Sequence, residues 1–126
     1  MRARSQCGFS LIELMIAVAV AAIIAAVAYP AFTSGLQKSR RAEAIKGLLS
    51  MQLRQEEHRI TNASYSSTTA QLGAPTSDYY DFAVSGASAT GYTLTATAKG
   101  SQSGDTACAT MSINKADTKT PADCWK

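Results

Sequence analysis

The residues able to do chemistry in this chain are few and far apart. Three cysteines stand at positions 7, 108 and 124, and the one histidine, His58, sits in the polar stretch QEEHR. Two cysteines with a distant histidine do not make a four-ligand zinc set, and neither a Gly-rich phosphate loop nor a nucleophile–base–acid arrangement can be found. The reading is therefore a non-enzymatic protein without cofactor or metal, with His58 a surface residue of a helix. Glu13 is different, because it interrupts an otherwise apolar run from Phe9 to Ala28. A carboxylate within such a run costs roughly 2.5–3.5 kcal/mol on insertion scales, so Glu13 calls for a proton or a partner. At the other end, Lys99, Lys115, Lys119, Lys126 and Trp125 surround the C-terminal cysteines, a combination suited to phosphate contact with base stacking. Asp105, Asp117 and Asp123 are interleaved with them. The formal charge is +3, and without Arg2 and Arg4 ten basic residues face nine acidic ones. Bulk charge thus gives no argument for DNA, and only a local patch does.

The elements that must position these groups follow from hydropathy. Twenty residues, Phe9 to Ala28, contain only Ser10 and Glu13 as polar members, and as a helix they would cross a bilayer core of ~30 Å. A chain of 126 residues has room for this span and one small domain. Three readings of the start compete: a cleavable secretory signal, suggested by Ala26-Val27-Ala28, a permanent anchor, and a leader cut before the apolar segment. Glu13 and the length of the run oppose the first, since signal cores hold about 7–15 residues. Arg2 and Arg4 on one side and Lys38, Arg40 and Arg41 on the other leave orientation undecided by charge. If the arm bearing Cys7 is lost, Cys108 and Cys124 form an even pair, a disulfide that belongs outside the cytoplasm.

After Pro30 the apolar residues turn periodic: Tyr29, Phe32 and Leu36, then Ile45, Leu48, Leu49 and Leu53. This predicts one helix over residues 9–60, transmembrane over 9–28, with a kink or weak turn at Pro30. Glu43, Lys46 and the run Lys38-Ser39-Arg40-Arg41 are expected on its solvated face. Residues 61–78 read as a connecting loop, in which the sequon Asn62-Ala63-Ser64 is a chance match. Strands are expected over Tyr79–Val84 and Tyr92–Ala98, with Ala109, Met111 and Ile113 forming a third inward row. Turn-rich separators imply an antiparallel meander packed on the periodic half of the helix. The fold class is α+β. Closing the loop from Cys108 to Cys124 would contribute ~3 kcal/mol in the chain-entropy model, with Trp125 covering the bridge.

Gly8-Phe9-Ser10-Leu11-Ile12-Glu13, the apolar span and Pro30 together resemble type IV pilins and the related type II secretion pseudopilins. Gly91 to Cys108, with Ala122-Asp123-Cys124-Trp125, is similar to minor pilins of the PilE type from Gram-negative bacteria. The resemblance implies a pilin fold with a sheet of 3–4 strands. It implies that residues 1–8 are a leader cut between Gly8 and Phe9 by a prepilin peptidase, with methylation of Phe9. It also implies roles in assembly for Glu13 and Pro30. Residues 61–126 would then hold the αβ-loop and a β-domain whose D-region, Ala109 to Asp123, is an outward-facing loop. Ala22 stands where many pilins have glycine, which disfavours local melting by ~1 kcal/mol. The expected subunit is stored in the inner membrane with its C-terminal domain periplasmic. It then enters a pilus with other pilins through an assembly platform, in a priming role or in adhesion and twitching. The alternatives are a tip module that binds DNA or surfaces, through Lys99, Lys115, Lys119 and Trp125, and a secretion pseudopilin.

Overall fold

A computed structural model describes residues 7–126; Met1–Gln6, and with them Arg2, Arg4 and most of the expected leader, lie outside the described residues. The chain divides into two units, Met1–Gly35 and Leu36–Lys126. One helix, α1, Leu11–Thr61, supplies residues to both and carries Pro30 without a break in the helical assignment.

In the first unit α1 starts at Leu11 because Ser10 caps it. The Ser10 Oγ accepts from the Glu13 backbone N–H at 3.3 Å, and the Ser10 N–H donates to Glu13 Oε2 at 3.1 Å. This reciprocal pair satisfies two donors that a helix N-terminus otherwise leaves free. The large side chains that follow, among them Leu11, Ile12, Met15, Ile23 and Val27, are exposed. The helix is long and apolar enough to cross a membrane.

In the second unit the rest of α1 lies on a four-stranded antiparallel sheet of strand order β1-β2-β3-β4. The strands are β1, Tyr80–Ser85; β2, Thr93–Ala98; β3, Thr110–Asn114; and β4, Lys119–Thr120. Register sets Phe82 opposite Ala96 and Ala96 opposite Met111, while Val84, Leu94 and Ile113 form the adjoining row. Period-two alternation puts these on one face, and Leu94, Ala96, Met111 and Ile113 are wholly buried. Thr93, Thr95 and Thr97 occupy the other face. Tyr65 and Leu72, from the long connection after α1, close the core.

Two expectations are corrected here. The helix face that meets the sheet consists of Ala44, Gly47, Leu48, Met51 and Gln55, whereas Leu49 and Leu53 are 43% and 62% exposed. Small residues let the backbones approach: a Cβ on Gly47 would stand 2.7 Å from the Phe82 ring and 2.9 Å from Pro75. The buried Gln55 amide is matched to a peptide unit, donating to Ser66 O and accepting from Ser66 N–H, both at 2.8 Å. The second correction concerns the D-region. Ala109 to Asp123 is not an outward loop, because it contains β3, whose Met111 and Ile113 lie in the core, and the short β4. The turn from Lys115 to Thr118 is exposed throughout, as are Ala122 and Asp123, and Asp117 takes the left-handed conformation (φ 60°).

Candidate functional site

At the start of α1, Gly8 and Phe9 are exposed and precede the cap. Both Glu13 contacts, from Ser10 N–H and from Ser10 Oγ at 3.2 Å, fall on Oε2. The acid that the sequence left unpartnered thus has a local partner, and its second oxygen is free among the described residues. Cys7, just before, is exposed and unpaired.

Beyond Gly35, the basic run divides. Arg40 places its guanidinium 4.0 Å from the Tyr79 ring centroid and donates to Ser101 Oγ at 3.0 Å. Arg41, expected on the solvated face, instead clasps Asp105 through Nε and Nη2 at 2.5 and 2.6 Å. Asp105 is only 4% exposed, and this charge-assisted fork satisfies it. The bond to Asp105 raises the Arg41 pKa above its ordinary value against the opposing effect of burial. Gln102, fully buried, extends the latch by donating from Nε2 to Asp105 Oδ2, Tyr80 Oη and Gln37 O. This network holds the segment leading to Cys108, which is bonded to Cys124 with a Cα–Cα distance of 5.8 Å. It was illegible in the sequence because 64 residues separate Arg41 from Asp105. It also removes Asp105 from the acids displayed near the C-terminal lysines.

Those lysines do not form one patch. Lys99 follows β2 at the end where Ala98 meets Tyr80, and it pairs with Asp81 at 2.7 Å. Lys115 lies at the opposite end of the strand, its N–H bonded to Tyr92 O. Six strand residues, about 20 Å, separate the two ends. Lys119 sits 5.8 Å from the Trp125 ring centroid and 3.2 Å from Asp117, while Lys126 pairs with Asp123 at 2.7 Å.

The end bearing Lys115 is the more developed site. Lys115 Nζ and Arg59 Cζ lie 5.4 and 5.9 Å from the Tyr65 ring centroid. Tyr65 meets Tyr92 edge to face at 4.7 Å. Glu56 receives both phenols at 3.5 Å and faces Lys115 at 3.8 Å. Burial, with the Glu56 charge second, pushes Tyr92 up to about 12. The adjacent Tyr65 side chain, with the Glu56 charge next, raises the pKa of Lys115. Arg59 and the helix end are tied to the surrounding loops, Arg59 donating to Asn62 O at 2.8 Å and Ala89 O at 3.4 Å. The sequence reading passed over Arg59, Tyr65 and Glu56. A cation two residues from the end of a helix, followed by an aromatic four residues beyond that end, was the signal available. His58, next to Arg59, is half-buried and contributes its carbonyl to Thr61 and Asn62.

A helix apolar in its first unit, capped by a serine and an acid, and in its second packed on a four-stranded meander with a C-terminal disulfide, is the architecture of a type IV pilin. A solved type IV pilin from Shewanella oneidensis matches with 26% identity and a TM-score of 0.59, over 71% of this chain and 98% of that one. The prokaryotic N-terminal methylation motif matches residues 3–29. Residues 30–112, more than half of the chain, match the model described as "Type IV minor pilin ComP, DNA uptake sequence receptor", and the chain belongs to that family of type IV minor pilins. No protein of curated function matches it. The chain is thus a structural subunit of a type IV pilus, of a class that works by associating with other pilins.

Proposed function

We propose that this minor pilin is a DNA-binding subunit of the pilus. The N-terminal eight residues are removed by a prepilin peptidase between Gly8 and Phe9, and the Phe9 amine is methylated. Before assembly, α1 holds the subunit in the inner membrane with the disulfide-bonded domain in the periplasm. An assembly platform then transfers it into the filament, where it contributes to priming. There Glu13 meets the N-terminal amine of a neighbouring subunit, which offsets the cost of carrying a carboxylate through apolar surroundings.

The observation that carries the DNA reading is the basic and aromatic end: Lys115 and Arg59 both against the Tyr65 ring, in a chain whose family model is described as a DNA uptake sequence receptor. Cations fixed against aromatic faces pay little ordering entropy when they meet phosphate, and Lys119 beside Trp125 offers a second contact of the same kind. Lys99, paired with Asp81 at the other end of β2, is left out of this site.

The test is duplex binding by the full-length chain in nanodiscs of neutral lipid. Binding that falls steeply with salt, by about one logarithmic unit per phosphate contact, is expected, and Lys115→Ala should remove about one contact from that slope. Absence of binding at low salt refutes the DNA reading and leaves the pilin assignment standing. Intact-mass analysis of sheared pili, showing a chain that begins at a methylated Phe9, tests the processing and incorporation.

A further inference from the structure

We propose that Glu56 is a selectivity residue of the Lys115 end, suppressing sequence-blind phosphate binding there and favouring a duplex face that offers an exocyclic amino group beside a phosphate. The proposal rests on the DNA-binding reading above. Glu56 is an unusual surface acid. Phenols from two separate elements, Tyr65 in the loop after α1 and Tyr92 ahead of β2, converge on its carboxylate at 3.5 Å, and Lys115 faces it at 3.8 Å. Its side chain stays half exposed, so its carboxylate is fixed in place yet open to a ligand.

A phosphate that contacts Lys115 Nζ comes near this carboxylate as well, because the carboxylate stands 3.8 Å from the lysine. Electrostatics therefore taxes a bare backbone contact, since like charges a few ångströms apart repel even where water screens them. A base that presents an N–H to Glu56 reverses the sign: carboxylates accept from cytosine N4 in the major groove, and adenine N6 offers a comparable donor. Lys115 supplies attraction to the backbone, and Glu56 makes that attraction conditional on a base edge.

Glu56→Gln tests this with little disturbance, because the amide oxygen still accepts from one phenol, the amide N–H can donate to the oxygen of the other, and the site is exposed. The probe is a pool of short random-sequence duplexes, with full-length protein in neutral nanodiscs. The variant should bind the pool roughly two- to five-fold more tightly than the parent, with a steeper salt dependence, and the gain should vanish in the Lys115→Ala background. Equal or weaker binding by Glu56→Gln at unchanged melting temperature overturns the proposal while leaving DNA binding intact. A gain that survives without Lys115 overturns it as well. If neither parent nor variant binds duplex at low salt, the DNA reading fails and this inference with it.

Discussion

Replacing Arg41 by Ala should be the most damaging single change on the exposed side of the helix. Asp105 keeps 4% of its surface accessible, and its carboxylate depends on two guanidinium bonds, with the Gln102 amide at 3.2 Å as a third donor. Removing one partner of such a pair leaves a buried charge, at a cost of about 3–5 kcal/mol. Arg41 itself is 25% exposed, so water can enter the vacated space, and Gln102 still donates; the lower end, ~3 kcal/mol, applies. For a domain of this size that lowers the melting temperature by about 12–24 °C. Arg40 is the control, since its cation–π contact with Tyr79 and bond to Ser101 are surface interactions worth about 0.5–1 kcal/mol. The assay is thermal unfolding of the full-length protein in detergent, followed by near-ultraviolet dichroism of the tyrosines and Trp125. Arg41→Ala combined with Asp105→Asn should be less damaging than Arg41→Ala alone, because the double variant buries no lone charge. Equal losses for Arg40→Ala and Arg41→Ala, or a double variant worse than the single, would refute the reasoning.

Alkaline stability carries a second expectation. Tyr92 titrates near 12 in the folded protein against an ordinary 10, mainly because it is buried, so its stabilising contribution is complete below pH 10. Between those values the unfolded chain binds fewer protons than the folded one, and stability falls as pH rises through that window. Tyr92→Phe should flatten this part of the alkaline unfolding curve; an unchanged slope would contradict it. Glycine positions supply the third. Gly47→Ala gains helix propensity of ~1 kcal/mol but forces a Cβ against Phe82 and Pro75, where overpacking costs about 1–3 kcal/mol, so a net loss is expected. Gly35→Ala meets open space and should raise the melting temperature, which the same thermal scans would show.

What the sequence made legible was whatever depends on short-range pattern. The alternation from Tyr92 to Ala98 gave β2 and its buried face, and the apolar run from Phe9 gave a helix long and apolar enough to cross a membrane, because period and length are local properties. The same logic found Leu48 and Ile45 beyond Pro30 but misplaced Leu49 and Leu53, which are exposed. It weighted the large residues Leu49 and Leu53, while the buried side of α1 also takes small Ala44 and Gly47, the latter against Phe82 and Pro75, and Gln55 hydrogen-bonded to Ser66 of the following loop. Partners distant in sequence were out of reach for a different reason: nothing in KSRR distinguishes Arg41, which finds Asp105, from Arg40, which stays on a tyrosine face. The basic site was seen as four scattered residues, of which register separates Lys99 from Lys115 and tertiary packing adds Arg59, Tyr65 and Glu56.

In the proposed assembly Glu13 would serve two environments without a rearrangement. In the isolated subunit its Oε2 closes the helix cap with Ser10, which shares the negative charge with two donors and places it at the positive end of α1. A carboxylate held in this way is less costly in an apolar setting than a free one, since its hydrogen bonds travel with it. Oε1 has no partner among the described residues, so the ammonium of a neighbouring subunit in the proposed filament would add to the cap rather than compete with it. At Glu13 the proposed assembly would then add one ion pair on the oxygen that Ser10 leaves free, with the helix cap kept. Ser10, a residue with no charge and no place among the sequence candidates, is what satisfies Glu13 within the subunit itself.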